Sequence, residues 1–330
     1  MKRFGNLIEK IAELNNLYLA FNKACRGKQF KHEVLAFREN FDRNISLLRE
    51  EILSGNVDVG NYHYFVIRDP KTRKICAAKF KERLLHHAIM NVCHDIYDKR
   101  LVPFTFATRK GKGVYAALEQ AQLACGKYRY TVKLDFRKYY DSIDHDVMKH
   151  ILTNMFKDKV LLSIFNRIID SYCVTTSKGL PIGNLTSQYF ANTYLSSLDH
   201  YIKEVLHAPI YIRYMDDLFL ASDSKEQLRM IVAEITRYSS EKLRLTLKPP
   251  IFRRSEDGQV FLGYRVLPHR LLLSGRSKKR FRSKLIDYHK KFFSCEWNEQ
   301  TLQEHIIPLM AFVNHAQCEM FRRECMKLIT

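Results

Sequence analysis

An α+β fold is what the sequence predicts, on three observations: helical apolar spacing over the first ninety residues, short β-favouring runs bounded by turn residues in the middle, and an amphipathic stripe in the last sixty. The N-terminal helical stretch pauses at the turn Ser54-Gly55-Asn56. Tyr62 to Arg68 then reads as a strand that turns at Asp69-Pro70 into the basic run KTRKICAAKFKER. The run YTVKL, Tyr130 to Leu134, predicts a buried strand ending at Asp135. In HDVMKHILTNMF, Val147, Ile151, Leu152 and Met155 share one helical face, and Asp144 is placed to cap the N-terminus. A helix is expected from about Thr186 to Val205, beyond the turn-rich KGLPIGNL. IYIRYMDDLFLAS has the form of a β-hairpin with Asp216-Asp217 at its bend, and KEQLRMIVAEITRYSSEKL that of a helix. Near the C-terminus, Phe281, Leu285, Tyr288 and Phe292 make a helical stripe among Arg276, Lys278, Lys279, Arg280, Arg282, Lys284, Lys290 and Lys291. Such a helix packs on one side and either follows a phosphate backbone with the other or keeps it in solvent.

With 330 residues, the chain can form two or three packed subdomains, and no repeat, low-complexity block or long linker divides it. Hydrophobic residues at 46% exclude general disorder, because enough apolar surface is present to offset the entropy of folding. Fifty-five Lys and Arg against 35 Asp and Glu leave a net charge of +20, which favours a polyanion through attraction and counterion release. Nucleic acid is the leading partner class, ahead of an anionic membrane surface or an acidic protein. The eight cysteines form no CxxC pair and are expected to be reduced and mostly buried. His86, His87, Cys93 and His94 come nearest to a ligand cluster, but their apolar surroundings favour core or surface roles over a metal site. MKRFGNLIEKIAEL lacks a continuous apolar signal, and no run reaches membrane-spanning length, so a cytoplasmic protein without a membrane partner is expected.

The chemistry-bearing residues are acidic. Nucleotidyl transfer uses two divalent ions, one activating the attacking hydroxyl and one stabilising the leaving pyrophosphate. Magnesium takes hard oxygen ligands and keeps positions for water and substrate, so a few carboxylates at the ends of adjacent strands suffice. Asp135 at a strand end and Asp216-Asp217 on a hairpin suit that task. The plainer readings are a turn or cap residue for Asp135, and a solvated bend paired with Lys or Arg for the other two.

YMDD, Tyr214 to Asp217, resembles the YxDD signature of reverse transcriptases, and VKLDFRKYYDSIDHD resembles their first catalytic motif. LPIGNLTSQYFAN is similar to their nucleotide-pocket motif, VFLGYRV to their primer-grip hairpin and KTRKI to the fingers segment that touches triphosphate, all in the family's order. FTFATRKGKGVYAAL is similar to a stretch in bacterial members. The resemblance implies a right-hand polymerase fold of fingers, palm with an antiparallel sheet, and helical thumb. It allots residues 1–90 and about 145–186 to fingers, about 91–144 and 187–268 to palm, and about 269–330 to thumb. It implies Mg²⁺, two ions, held by Asp135, Asp216 and Asp217 with the Phe136 carbonyl. Around the nucleotide it places Arg73, Phe136, Tyr140, Ile182, Gln188 and Lys248, with Lys71 and Lys74 assisting Arg73. Tyr140 occupies the steric-gate position that selects deoxynucleotides, unless it is a core aromatic; Lys248 faces the pyrophosphate, unless it is a surface lysine. Phe261, Leu262, Gly263 and Tyr264 would hold the primer end.

Many family members read QGxxxSP in the pocket, whereas this chain reads Ile182-Gly183-Asn184-Leu185-Thr186-Ser187-Gln188. That form is similar to the reverse transcriptases of diversity-generating retroelements, and the absence of an appended endonuclease or maturation domain fits the same group. The group's activity is copying a template-repeat RNA into adenine-mutagenised cDNA that diversifies a target gene. The implied partners are template RNA, primer or cDNA, deoxynucleoside triphosphates, and a small basic accessory variability protein. A group II intron, retron or abortive-infection polymerase is the alternative within the class. A catalytically silent RNA-binding protein with a polymerase fold is the alternative outside it.

Overall fold

A computed structural model describes residues 3–68 and 71–327; the expected turn at Asp69-Pro70 lies outside the described residues. Among the described residues, helices mix with three antiparallel sheets, and the chain resolves into two compact units.

The first unit comprises residues 1–103, 136–205 and 235–247. Its helices Leu14–Cys25, Phe41–Ser54 and Phe80–Asp98 turn Leu17, Ala20, Ile45, Leu48, Leu84 and Ile89 inward. Helix Phe41–Ser54 stops at Gly55, whose φ of 72° fits the expected turn, since only glycine adopts that conformation without strain. Tyr97, Phe156, Phe165 and Phe190 form a buried aromatic cluster with neighbouring rings 5.3–6.5 Å apart. Strands β1 (Tyr62–Ile67) and β2 (Arg73–Ala78) pair with each other as a two-stranded sheet, in the register Tyr62↔Ala78 to Ile67↔Arg73.

Asp144 caps helix His145–Met155 as expected, accepting from the Val147 N–H at 3.2 Å, and also takes an ion pair from Arg244 at 2.8 Å. The buried face of that helix is His145, Met148, Leu152 and Met155, rotated from the expected one; Val147 and Ile151 lie at its margin. His145 turns inward because its ring is hydrogen-bonded to the Gly179 carbonyl at 2.8 Å. The single helix expected from Thr186 to Val205 is corrected to three pieces: Leu185–Tyr194, Ser196–His200 and a π-helical turn Tyr201–Val205. The break falls at Leu195, where ψ opens to 0°. Seven of the ten residues in the first piece are buried, so packing on every side, rather than one apolar stripe, sets its course.

The second unit comprises residues 104–135, 206–234 and 248–330. It carries strands β3 (Tyr130–Asp135), β4 (Ile210–Tyr214), β5 (Asp217–Ser222) and β6 (Ile251–Arg254) in the antiparallel order β4-β5-β3-β6. A second sheet of β7 (Gln259–Phe261), β8 (Tyr264–Val266) and β9 (Leu271–Leu273) meets the first in one core. Helix Val114–Lys127 presents Ala117, Ala121 and Ala124, small residues one turn apart that let the helix lie close to strands β4, β5 and β8. Phe219 and Phe261, both fully buried with ring centroids 5.4 Å apart, join the two sheets. The cationic C-terminal helix is Gly275–Phe293, with Phe281, Leu285 and Tyr288 buried and its basic residues mostly outside. Phe292 is half-buried.

Candidate active site

Strand pairing assembles the acidic residues. β3 ends at Asp135 and β5 begins at Asp217, and these two are direct cross-strand partners. Tyr214 also faces Asp217 across β4 and β5, so Met215 and Asp216 form a two-residue turn. Asp135 and the adjacent pair Asp216-Asp217, far apart in sequence, thus meet at one end of one sheet. Met215 has a φ of 52°, a left-handed conformation that a residue with a side chain adopts at a cost of about 1–2 kcal/mol.

Each outer carboxylate has a lysine. Lys248 Nζ is 2.5 Å from Asp135 Oδ2, and its backbone N–H donates to the Asp135 carbonyl at 2.8 Å. Lys133 Nζ lies 2.8 Å from Asp217 Oδ1. Asp216 is pushed up to about 6, first by burial and then by the charges of Asp217 and Asp135, with Lys248 opposing. Among the described residues, no three His, Cys, Asp or Glu side chains converge on one ligating point. The donor set nevertheless suits a hard divalent cation: the oxygens are carboxylate, they share a sheet end, and their mutual repulsion raises the affinity of Asp216 for a positive charge.

The other expected site residues divide between the units. In the second, β7 and β8 turn through Leu262 (φ 48°) and Gly263 (φ 90°), while Phe261 and Tyr264 are buried. The Gly263 carbonyl accepts from Ser277 Oγ at 2.6 Å and from the Ser274 N–H at 3.1 Å, which fastens this turn to the start of helix Gly275–Phe293. In the first unit, Arg73 opens β2 and is exposed, as are Lys71 and Lys74. Phe136 is buried with its ring 5.6 Å from that of Tyr139. Of the tyrosine pair, Tyr139 is the core aromatic, its hydroxyl donating to the Ala191 carbonyl at 2.5 Å, and Tyr140 remains half-buried. The half-buried Ile182 accepts from the Cys76 N–H through its carbonyl at 2.7 Å, strapping the pocket loop to β2. A side chain on Gly183 would meet the Cys76 carbonyl oxygen at 2.8 Å. Asn184 Nδ2 donates to the Tyr62 hydroxyl at 3.2 Å, and Gln188 is exposed.

Lys133 and Arg213 escaped the sequence reading. Lys133 could have been found from strand alternation, which puts residues 133 and 135 on one face of β3. Arg213 is fully buried, and no one-dimensional pattern separates an inward arginine from an outward one on so short a strand. In the histidine and cysteine group, His86 lies 3.5 Å from Glu82, Cys93 is buried, and His94 bonds to the Tyr189 hydroxyl at 2.9 Å. All eight cysteines are free and six are buried. No described helix is long and apolar enough to cross a membrane.

Residues 68–266 match the family described as reverse transcriptase (RNA-dependent DNA polymerase), and the chain belongs to that family. Protein YkfC of Escherichia coli is 21% identical over 68% of this chain and 72% of its own length. The group II intron-encoded protein LtrA of Lactococcus lactis is 20% identical over 64% of this chain. Apo telomerase from Candida tropicalis superposes over 70% of this chain with a TM-score of 0.50 and 13% identity, and the fold is that of the right-hand polymerases. The chain spans 47% of LtrA and 53% of the telomerase chain.

Proposed function

We propose that the protein copies RNA into DNA with Asp135, Asp216 and Asp217 as the catalytic carboxylates. The observation that carries this reading is the register that sets Asp135 across from Asp217 with Asp216 in the adjoining turn. Those three residues, with the Phe136 carbonyl, would hold two Mg²⁺ ions, which when bound lower the pKa of the primer hydroxyl and stabilise the departing pyrophosphate. Lys248, which pairs with Asp135, would meet the pyrophosphate. Arg73 would stack on the incoming base and grip its phosphates, a task for a planar guanidinium. Tyr140 would lie under the sugar and Gln188 at the pocket rim. The Phe261-Leu262-Gly263-Tyr264 turn would hold the primer terminus. Template RNA, primer or cDNA, and deoxynucleoside triphosphates are the substrates, consistent with the net charge of +20. Fingers, palm and thumb follow the boundaries given from the sequence, with helix Gly275–Phe293 in the thumb.

Primer extension on an RNA template tests this directly. The wild type should extend with Mg²⁺, and Asp216→Asn should lose on the order of 10³-fold in rate while retaining RNA affinity, since several kcal/mol of transition-state stabilisation depend on the ligand set. Binding without extension by the wild type, in the presence of accessory protein and cognate RNA, would favour a silent RNA-binding protein.

Within the family, the pocket sequence Ile182-Gly183-Asn184-Leu185-Thr186-Ser187-Gln188 supports a diversity-generating retroelement enzyme that makes adenine-mutagenised cDNA with a small basic accessory protein. Ile182 can neither donate nor accept through its side chain, so a misplaced nucleotide forfeits no hydrogen bond there. Ile182→Gln should lower misincorporation opposite template adenine by about 2–10-fold, the worth of one hydrogen bond. Unchanged error frequencies would remove this explanation. The likeness to LtrA supports a group II intron polymerase as the second reading. Neighbouring DNA with two near-identical repeats differing mainly at adenines would decide for the first.

A further inference from the structure

Arg213 is fully buried and sits on β4 two residues before Met215. Its backbone is held on both sides by the preceding loop: its N–H donates to the Phe104 carbonyl at 3.0 Å, and its carbonyl accepts from the Phe106 N–H at 2.9 Å. Its guanidinium reaches forward, and Nη1 donates to the Met215 carbonyl at 3.0 Å. A buried guanidinium cannot relieve its desolvation by losing a proton, so it persists only where hydrogen bonds use it. An apolar side chain of equal length would fill the same volume without that cost, and such replacements are often neutral or stabilising. Packing alone therefore gives no reason for arginine at this position.

The Met215 carbonyl gives one. It belongs to the peptide unit whose nitrogen is that of Asp216, so fixing its oxygen fixes the plane from which the Asp216 side chain departs. The same turn holds Met215 at φ 52°, a conformation that persists only where its surroundings over-determine it. We infer that Arg213 is a positioning residue for catalysis, aiming Asp216 by anchoring the Met215 carbonyl from inside the sheet. Lysine in its place would keep the charge but not the rigid planar fork, and a displacement of about 1 Å at a reacting group costs on the order of 10²-fold in rate. The inference rests on the proposed role of Asp216.

The test uses the full chain with Arg213→Lys and Arg213→Met, the latter keeping the core filled. Single-turnover extension, triphosphate half-saturation, thermal midpoint and hydrogen exchange of the segment 214–218 are measured in parallel. Both variants should lose about 10²-fold in extension rate with little change in half-saturation, and exchange should accelerate at 214–218 more than in the rest of the sheet. Adding Met215→Gly to Arg213→Met should return about tenfold of the rate, because glycine takes the turn conformation unaided. Exchange unchanged at 214–218, or a rate loss no larger than the loss of folded protein, would overturn the inference. A wild type that does not extend primers would instead sink the polymerase reading, and the exchange experiment would still decide whether Arg213 orders the turn.

Discussion

Two hairpins of similar sequence character have opposite surroundings. β4–β5 belongs to a four-stranded sheet in which β5 lies between β4 and β3, and Leu218 to Ser222 are buried without interruption. β1–β2 stands as a pair, and Tyr64, Phe65, Val66 and Ile67 remain 41–55% exposed, with Lys74 Nζ 4.1 Å above the Tyr64 ring. A hairpin bounded by β3 on one flank and tied at Arg213 to the 104–106 loop on the other resists local opening, whereas a two-stranded ribbon has few buried contacts to oppose it. Asp216 and Asp217 belong to the buried hairpin, and the proposed nucleotide-gripping Arg73 to the exposed one.

The largest expected effect probes the buried hairpin. Phe219→Ala should cost about 3–5 kcal/mol in chemical denaturation, because Phe219 is fully enclosed and touches Phe261 of the second sheet. A loss under about 1 kcal/mol would erase the contrast between the two ribbons.

A somewhat smaller effect lies at the base of β1–β2. Glu82 is buried, accepts from the Gly60 N–H at 3.0 Å, and is pushed up to about 7 by burial, against the opposing hydrogen bonds from Gly60 and Tyr62. Because the folded chain holds this proton up to about pH 7 and the unfolded chain releases it near pH 4.5, stability is greatest below the lower value and declines between the two. His86 acts with the opposite sign: burial holds it down to about 3, so stability falls as the pH drops below the ordinary 6.5. Between these limits both side chains are neutral, and their 3.5 Å approach is not an ion pair. Glu82→Gln should gain about 3 kcal/mol relative to wild type between pH 4.5 and 7.5, read from denaturation curves across that range. A pH-independent difference would mean that the base of the ribbon is wetter than its burial indicates.

The smallest effect should come from the exposed face itself. Phe65→Ser should alter stability by less than about 0.5 kcal/mol, since this side chain remains 42% exposed. A larger loss would show that the ribbon packs against something in solution.

Legibility in the sequence followed the range of the forces involved. The strand before Asp135, the hairpin at Tyr214 to Asp217 and the cap at Asp144 were readable because alternation, turn and capping act over a few residues. The buried face of helix His145–Met155 was misread by one position because a hydrogen bond to Gly179, thirty-four residues away, pulls His145 inward. The break at Leu195 was invisible because no proline or glycine marks it. Strand β6 and strand β9 carry four and three residues, too short for a periodic signal, and are defined by their partners β3 and β8. At the candidate site, the acidic residues were legible as a motif. The lysines that neutralise two of them, and the arginine beneath the turn, depend on which face of a strand meets the core.

Gly183 turns the strap between β2 and the pocket loop into a single mechanical piece. With φ at 127° and only 2.8 Å between a hypothetical β-carbon and the Cys76 oxygen, even a methyl group would act as a wedge between ribbon and loop. The backbone at Ile182 therefore inherits every tilt of the ribbon that bears Arg73, so leverage at one end of the piece becomes misalignment at the other.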